Sequence, residues 1–360
     1  MSKVTIPIGP QHPLLKEPVA FTLTADGEQI VDSALRMGYV HRGIERLAQD
    51  RSYTQITYLV ERVCGICSHV HTTTYCQGVE ALLGLDVPPR GLYLRALLCE
   101  LERIHSHLLW LGVLAKNVGL DTLFMYAWRD REIVLDIMEE LSGGRVSHAV
   151  NIVGGVRIDL DEAQHQMVVE QLNRLAGRVH KHLNIVLHER TIKARTQNIG
   201  YLSAEQMREY CVVGPVARAS GIDMDLRRDL PRPPYTELDF DVITHTDGDV
   251  WARTVVRVEE TLVSLKLCQD ILAKLPDGPV AAKAKRRVPT GEVVSRFEAP
   301  RGEVVYYIRS NGTDKPERLK IRTPTLTALI TLPIQLQGVA LADVSVVLSG
   351  VDLCIACADR

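Results

Sequence analysis

LYLRALLCELERIHSHLLWLGVLAKNV, residues 92–118, decides the fold class. Leu94, Leu97, Leu98, Leu101, Ile104, Leu108 and Leu111 recur at three- and four-residue spacing, with Glu100, Glu102 and Arg103 at polar positions between them. That period belongs to a helix with a broad apolar face. Helical patterns also run over about 130–141, 161–193 and 250–275, and over 43–84 with an interruption around residues 64–67. Helices of this length imply a bundle core. Toward both ends the period falls to two. Residues 20–38 read as a hairpin around Asp26-Gly27, with Phe21 and Leu23 alternating against polar neighbours. Residues 292–309 alternate around the turn Ala299-Pro300-Arg301-Gly302, and 318–322 add a strand. The expected architecture is mainly α, a long-helix bundle core with small flanking β elements near both termini. One domain would cover 1–360: a β region over 1–42, a helical core over 43–280, and a β element with a C-terminal metal-binding segment over 290–360.

Composition narrows the function. Net charge is −2, from 42 basic and 44 acidic residues, so no global field draws nucleic acid or an anionic membrane. Neither G-x-G-x-x-G nor G-x-x-x-x-G-K-S/T is present. The N-terminal residues lack a signal-type apolar region. The uncharged stretch 323–342 carries Pro324, Pro333, Gln335, Gln337 and Gly338, which fits a buried core segment better than a membrane span.

The chemistry lies in the cysteines. Cys64-Gly-Ile-Cys67 and Cys354-Ile-Ala-Cys357 are two Cys-x-x-Cys turns near opposite ends of the chain. Each turn puts two thiolates on one side, so together they can build a four-sulfur metal site. A zinc staple ordinarily closes a small loop, whereas these pairs bracket nearly the whole chain. Spacing alone leaves zinc, an iron–sulfur cluster and a redox metal open. Cys76, Cys99, Cys211 and Cys268 stand singly on apolar stretches and read as small buried hydrophobes.

Five segments occur in one order: Gly9-Pro10-Gln11-His12-Pro13, His41-Arg42-Gly43-Ile44-Glu45, Arg62 to Cys67 with His71, Ala299-Pro300-Arg301-Gly302, and Asp352 to Arg360. The series resembles the catalytic large subunit of nickel–iron hydrogenases of the energy-converting, membrane-associated group, related to the 49-kDa subunit of respiratory complex I. The resemblance covers the whole chain, and complex I subunits of that type lack the cysteine pairs. It implies a nickel–iron centre held by Cys64, Cys67, Cys354 and Cys357, its iron carrying carbon monoxide and two cyanides. It further implies Cys354 as the base, Glu17 as the proton relay, Arg301 beside Pro300 over the open face of the metals, and Asp352 fixing Arg301. His71 would hydrogen-bond a bridging sulfur. Glu45 would help hold a second, structural magnesium or iron ion, although relatives use a terminal histidine there and this sequence has Arg360. Leu353 replaces the usual proline before the last pair, which leaves that turn less preorganised.

The implied activity is reversible formation of dihydrogen from protons and electrons, coupled to ion translocation by a complex. Implied partners are an iron–sulfur small subunit like the complex I 20-kDa subunit, 30-kDa-like and ferredoxin-like subunits, and membrane ion-translocating subunits. The donor would be ferredoxin or a carrier linked to carbon monoxide dehydrogenase. The place would be the cytoplasmic face of the cell membrane, peripheral through partner subunits. Two rivals remain: a complex I-like quinone-site or scaffold subunit using His12, and a zinc-stapled structural protein.

Overall fold

The computed structural model describes residues 3–13 and 15–360. Three strands open the chain, β1 (Val4–Ile8), β2 (Ala20–Asp26) and β3 (Gln29–Arg36), in an antiparallel sheet of order β1-β2-β3. The β2–β3 hairpin is the expected one. β1 carries little alternation that a sequence reading can use, since only Ile8 of its five residues is buried.

Helices α1 (Ile44–Gln49), α2 (Tyr53–Glu61) and α3 (Ser68–Leu83) follow, and the break between α2 and α3 holds the first cysteine pair. The long strut is α4 (Pro89–Asn117). It begins before Leu92 because Pro89 at its first position loses no hydrogen bond and presets φ. α5 (Asp121–Ser142) starts well ahead of residue 130. Its first turns carry the exposed Met125, Tyr126 and Trp128, so hydrophobic residues there mark no single buried face. After the two-residue strands β4 (Asn151–Ile152) and β5 (Gly155–Val156), the expected 161–193 helix is two. α6 (Glu162–His188) ends at Glu189, which turns extended and uses its carboxylate to cap α7 (Arg190–Thr196) through Thr191 N–H.

Three short helices, α8 (Ala204–Glu209), α9 (Pro215–Arg218) and α10 (Leu226–Asp229), lead to α11 (Val250–Ala273). α11 packs on α4 and α6, and α5 packs on α4 and α6. A buried ionic lattice pins the 214–230 loops to this bundle: Arg218 pairs with Glu260 and Glu298, and Arg227 with Glu100 and Asp225. Charges so buried are tolerable because each is paired and hydrogen-bonded.

β6 (Gly291–Ala299), β7 (Gly302–Ser310) and β8 (Pro316–Arg322) form the second antiparallel sheet, which packs on α3. Four short helices then close the chain: α12 (Pro324–Leu329), α13 (Leu332–Leu336), α14 (Val344–Val351) and α15 (Ile355–Asp359). The 323–342 stretch is therefore core packing. Leu329, Leu332 and Leu336 share one apolar cluster with Phe21, Leu23 and Ile30 of the N-terminal hairpin. No helix among the described residues is long and apolar enough to cross a membrane. This second cluster brings the two ends of the chain together, and α14 also packs on α4 and α11.

Candidate metal centre

The Cys-x-x-Cys turns meet in the interior. Cys64 Sγ lies 3.4 Å from Cys354 Sγ, Cys67 Sγ 3.7 Å from Cys357 Sγ, and Cys354 Sγ 3.2 Å from Cys357 Sγ. All four thiols are free and buried. A disulfide needs about 2.05 Å, so these separations are contacts. Four sulfurs around a metal at ~2.3 Å form a tetrahedron with edges of roughly 3.8 Å, close to the spacing found. The donor set is soft and preassembled, and it fits a thiolate-bound metal; these four residues would hold it.

Among the described residues, the groups able to hold a metal are Cys64 with Cys354 and Cys357, and Cys67 with His71 and Cys357. Hydrogen bonds from Cys354, then Cys357 and Cys67, push the Cys64 thiol well below its ordinary range. Cys357 moves up instead, first through its bond with Cys354. The Ile66 and Cys67 N–H groups point at Cys64 Sγ, at 3.2 and 3.4 Å.

Arg301 is buried beside the sulfurs. Its Nε donates to Asp352 O at 2.9 Å, its Nη2 to Asp352 Oδ1 at 3.0 Å, and its Nη1 to Ser106 Oγ at 3.3 Å. Burial works against this guanidinium's charge, but Asp352, Cys354, Cys64 and Cys67 outweigh it and hold the pKa well above normal. Arg301 and the buried Pro300 form the two-residue tip of the β6–β7 hairpin, where Ala299 pairs with Gly302. The tip is wedged against the chain at Gly214. A Cβ on Gly214 would meet Arg301 O at 2.3 Å, and one on Gly302 would meet Gly214 N at 2.8 Å. Both glycines also have positive φ, so the approach that seats Arg301 requires them. Asp352 closes α14 in a left-handed conformation, φ 58° and ψ 60°. Its carboxylate also meets Lys16 Nζ at 3.5 Å.

Glu17 reaches the last cysteine turn. Its Oε2 accepts from Ile355 N–H and, at 3.1 Å, from Ala356 N–H, the first amides of α15. Burial raises its pKa against those two donors. Glu17 lines a cleft with Lys16, Leu15, Val113, Ser349 and Ile355. His71 sits with Nε2 3.6 Å from Cys357 Sγ and Nδ1 2.7 Å from Tyr306 hydroxyl. Burial pushes it down to about 4, so the ring is neutral near pH 7.

The structure does not gather metal ligands at Glu45. Its carboxylate accepts from Lys320 Nζ at 2.9 Å, Ile321 N–H at 3.0 Å and Arg360 Nε at 2.9 Å. The Arg360 guanidinium supplies positive charge at Glu45, where a second metal ion was the expectation. Of the four single cysteines, Cys76, Cys99 and Cys268 are buried as expected, whereas Cys211 is exposed in a turn with φ 52°.

Two residues escaped the sequence reading. Arg42 Nη1 donates to Arg62 O at 2.6 Å, and its Nη2 to Val63 O and Ala356 O, each at 3.0 Å. One guanidinium thus spans both cysteine turns; its place in the His41-Arg42-Gly43 segment was the available signal. Glu102, on α4, accepts from His69 N–H at 2.7 Å and Val70 N–H at 2.9 Å, and no motif marks it.

Comparison with known proteins agrees with this geometry. Residues 42–121 match the family model described as nickel-dependent hydrogenase. Residues 117–287 and 282–360 match that of the respiratory-chain NADH dehydrogenase 49 Kd subunit. The chain is 41% identical to the carbon monoxide-induced hydrogenase of Rhodospirillum rubrum, covering 100% of both. It is 39% identical to the membrane-bound hydrogenase subunit alpha of Pyrococcus furiosus, over 99% of this chain and 87% of that one. A chain in the structure of the membrane-bound sulfane sulfur reductase, an archaeal respiratory membrane complex, superposes with a TM-score of 0.95 at 30% identity, covering 99% of this chain and 98% of that chain.

Proposed function

The chain belongs to the oxidoreductase family that joins the 49-kDa subunit of the respiratory-chain NADH dehydrogenase to the nickel-dependent hydrogenases, and from that premise we propose that it is the catalytic large subunit of an energy-converting nickel–iron hydrogenase. The observation that carries this reading is the convergence of four buried, unbridged thiols with a buried arginine beside them. A purely structural zinc knot gives no reason to set a guanidinium beside its sulfurs.

A nickel–iron centre bearing carbon monoxide and cyanide, when bound, supplies the reversible heterolytic cleavage of dihydrogen. The protein's share follows from the residues. Cys64, Cys67, Cys354 and Cys357 hold the group. Asp352 clamps Arg301 through both its carbonyl and its carboxylate, which fixes the guanidinium plane against the sulfurs. Cys354 Sγ takes the proton, and Glu17 passes it outward. Glu17 suits that task, since its Oε2 is engaged by Ile355 and Ala356 N–H while burial favours the protonated acid. The cleft that Glu17 lines gives the proton a way to solvent. His71, neutral and held by Tyr306, tunes Cys357.

Electrons come through an iron–sulfur small subunit, because Cys76, Cys99 and Cys268 are buried singly and form no cluster-binding pattern here. The complex, with 30-kDa-like, ferredoxin-like and membrane ion-translocating subunits, places the chain peripherally on the cytoplasmic face of the membrane. Ferredoxin or a carrier linked to carbon monoxide dehydrogenase feeds it.

Infrared spectroscopy of the purified complex, with nickel and zinc quantified on the same sample, tests the reading. Metal-bound carbon monoxide and cyanide bands with about one nickel per chain are expected. Zinc without bands sinks the proposal in favour of a staple. Absence of any metal from fully assembled complex favours the complex I-like alternative, to which the match over 117–287 and 282–360 lends weight.

A further inference from the structure

An α-helix opens with backbone N–H groups that have no partner inside the helix, and the residue before it normally turns a side-chain oxygen back to accept one. This chain follows that rule repeatedly. Ser52 caps α2, Asp161 caps α6, Ser203 caps α8 and Asp249 caps α11. The two helices that follow the cysteine turns, like α1, α4, α5, α9, α12, α13 and α14, have no such cap of their own. Cys67 stands at the cap of α3 and Cys354 at the cap of α15, and neither side chain makes a capping bond. Cys67 Sγ and Cys354 Sγ face the other thiols of the cluster, 3.7 Å from Cys357 Sγ and 3.4 Å from Cys64 Sγ.

In both places a carboxyl group from a distant segment takes over. Glu17 serves the first amides of α15. On the 16-residue α3 the substitute is Glu102, from the middle of α4. Its two oxygens divide the work: Oε1 accepts from His69 N–H at 2.7 Å and Oε2 from Val70 N–H at 2.9 Å. Oε1 also lies 3.4 Å from Ser68 Oγ, whose own bond to Val146 O is 2.9 Å. Glu102 is fully buried, and among the described residues it has no ion pair, unlike Glu100 one turn edge away, which pairs with Arg227 and Arg103. A buried carboxyl with no counter-cation is an expensive choice for a site that could hold leucine. Packing alone gives no reason for it; the paired amides do.

We propose that Glu102 is a positioning residue of the metal centre: it caps α3 from outside, leaves the Cys67 sulfur free for ligation, and fixes the direction in which the first cysteine turn presents its thiols. The inference rests on the reading of Cys67 as a metal ligand. Glu102 touches no reacting atom. It acts through the first turn of α3, and rotation of that turn would carry Cys67 Sγ away from Cys357 Sγ, its 3.7 Å neighbour.

The experiment compares the intact complex with its Glu102→Ala and Glu102→Gln variants by two readouts. The first is amide hydrogen exchange at His69 and Val70, which needs no metal. Exchange in Glu102→Ala should rise at these two amides by about tenfold, the size of a lost hydrogen bond, while the rest of α3 stays protected. Glu102→Gln keeps one acceptor oxygen and should fall between wild type and alanine, which preserves the test if the alanine variant does not assemble. The second readout is the position and width of the metal-bound carbon monoxide and cyanide bands. They should shift and broaden in the order wild type, glutamine, alanine, an effect that mere loss of stability would not produce in the assembled fraction. Unchanged exchange at both amides overturns the cap. Raised exchange with unmoved bands overturns its influence on the metal centre. If wild type itself shows no bands while the exchange pattern holds, the cap stands and the hydrogenase reading is what failed.

Discussion

The two cysteine turns share one spelling and differ in how far each leans on distant segments. Cys64 and Cys67 lead straight into α3, which is buried along most of its length and packs on α2, α4 and the β6–β7 hairpin. Cys354 and Cys357 lie in and beside the five-residue α15, too short to hold itself. The second turn is instead tied down from elsewhere in the chain. His41 Nδ1 lies 2.6 Å from Asp359 O, Gly38 and Val40 N–H donate to Asp359 Oδ2, Glu17 caps the helix, and Arg301 grips Asp352. A ligand pair can therefore be made rigid by continuity with the core or by many crossing bonds. The second device depends on single residues far more sharply.

Asp352→Asn should break the symmetry most. Asparagine tolerates the left-handed φ of 58° at this position, so the change removes charge with little backbone strain. It leaves Arg301 buried without its counter-charge, a loss of about 3 kcal/mol. Native-state hydrogen exchange should show that loss as opening of 355–359 with α3 still protected. Parallel opening of α3 would mean that the two turns form one unit.

A smaller effect is expected for Arg42→Ala, since Arg42 is exposed and water replaces part of what it gives. Its three carbonyl partners belong to both turns, so both should loosen, by about 2 kcal/mol together. Limited proteolysis that cuts only near residue 356 would show that Arg42 serves the second turn alone.

The smallest change at neutral pH should come from His107, in the α4 bundle that supports the first turn. Burial, opposed by Glu260, pushes its pKa down to about 4, against about 6.5 when unfolded. Between these values the unfolded chain binds a proton that the folded chain refuses, so stability falls as pH drops from 6.5 toward 4. His107→Gln should flatten that limb of a stability-against-pH curve by at most about 1.4 kcal/mol per unit. An unchanged slope would place the acid sensitivity elsewhere.

Much of this was legible beforehand because it is local. The 92–118 period, the Asp26-Gly27 hairpin and both cysteine turns are written in neighbouring residues. The exposed start of α5 was not, because Met125, Tyr126 and Trp128 are hydrophobic without being core. The break at Glu189 was hidden as well, since glutamate is a good helix former and only its backbone turn makes it a cap. For the candidate site, the convergent cysteines were readable but the groups that support them were less so. Glu102 meets His69 across 33 positions and Arg42 meets Ala356 across 314, and no periodicity encodes such distances. The partners of Glu45 were hidden for a related reason: a motif carries a residue's identity, while its bonds to Lys320 and Arg360 cross 275 and 315 positions.

The span between the sulfurs also has a consequence for biosynthesis. Cys64 and Cys354 are 290 residues apart, as are Cys67 and Cys357. A ribosome releases the first two thiols long before it reaches the second two, so an ion captured early meets half a coordination sphere and leaves readily. On the proposed reading, only a chain translated as far as Cys357 offers all four thiols to a metal. Metal retention would then report that translation had run through the second cysteine turn.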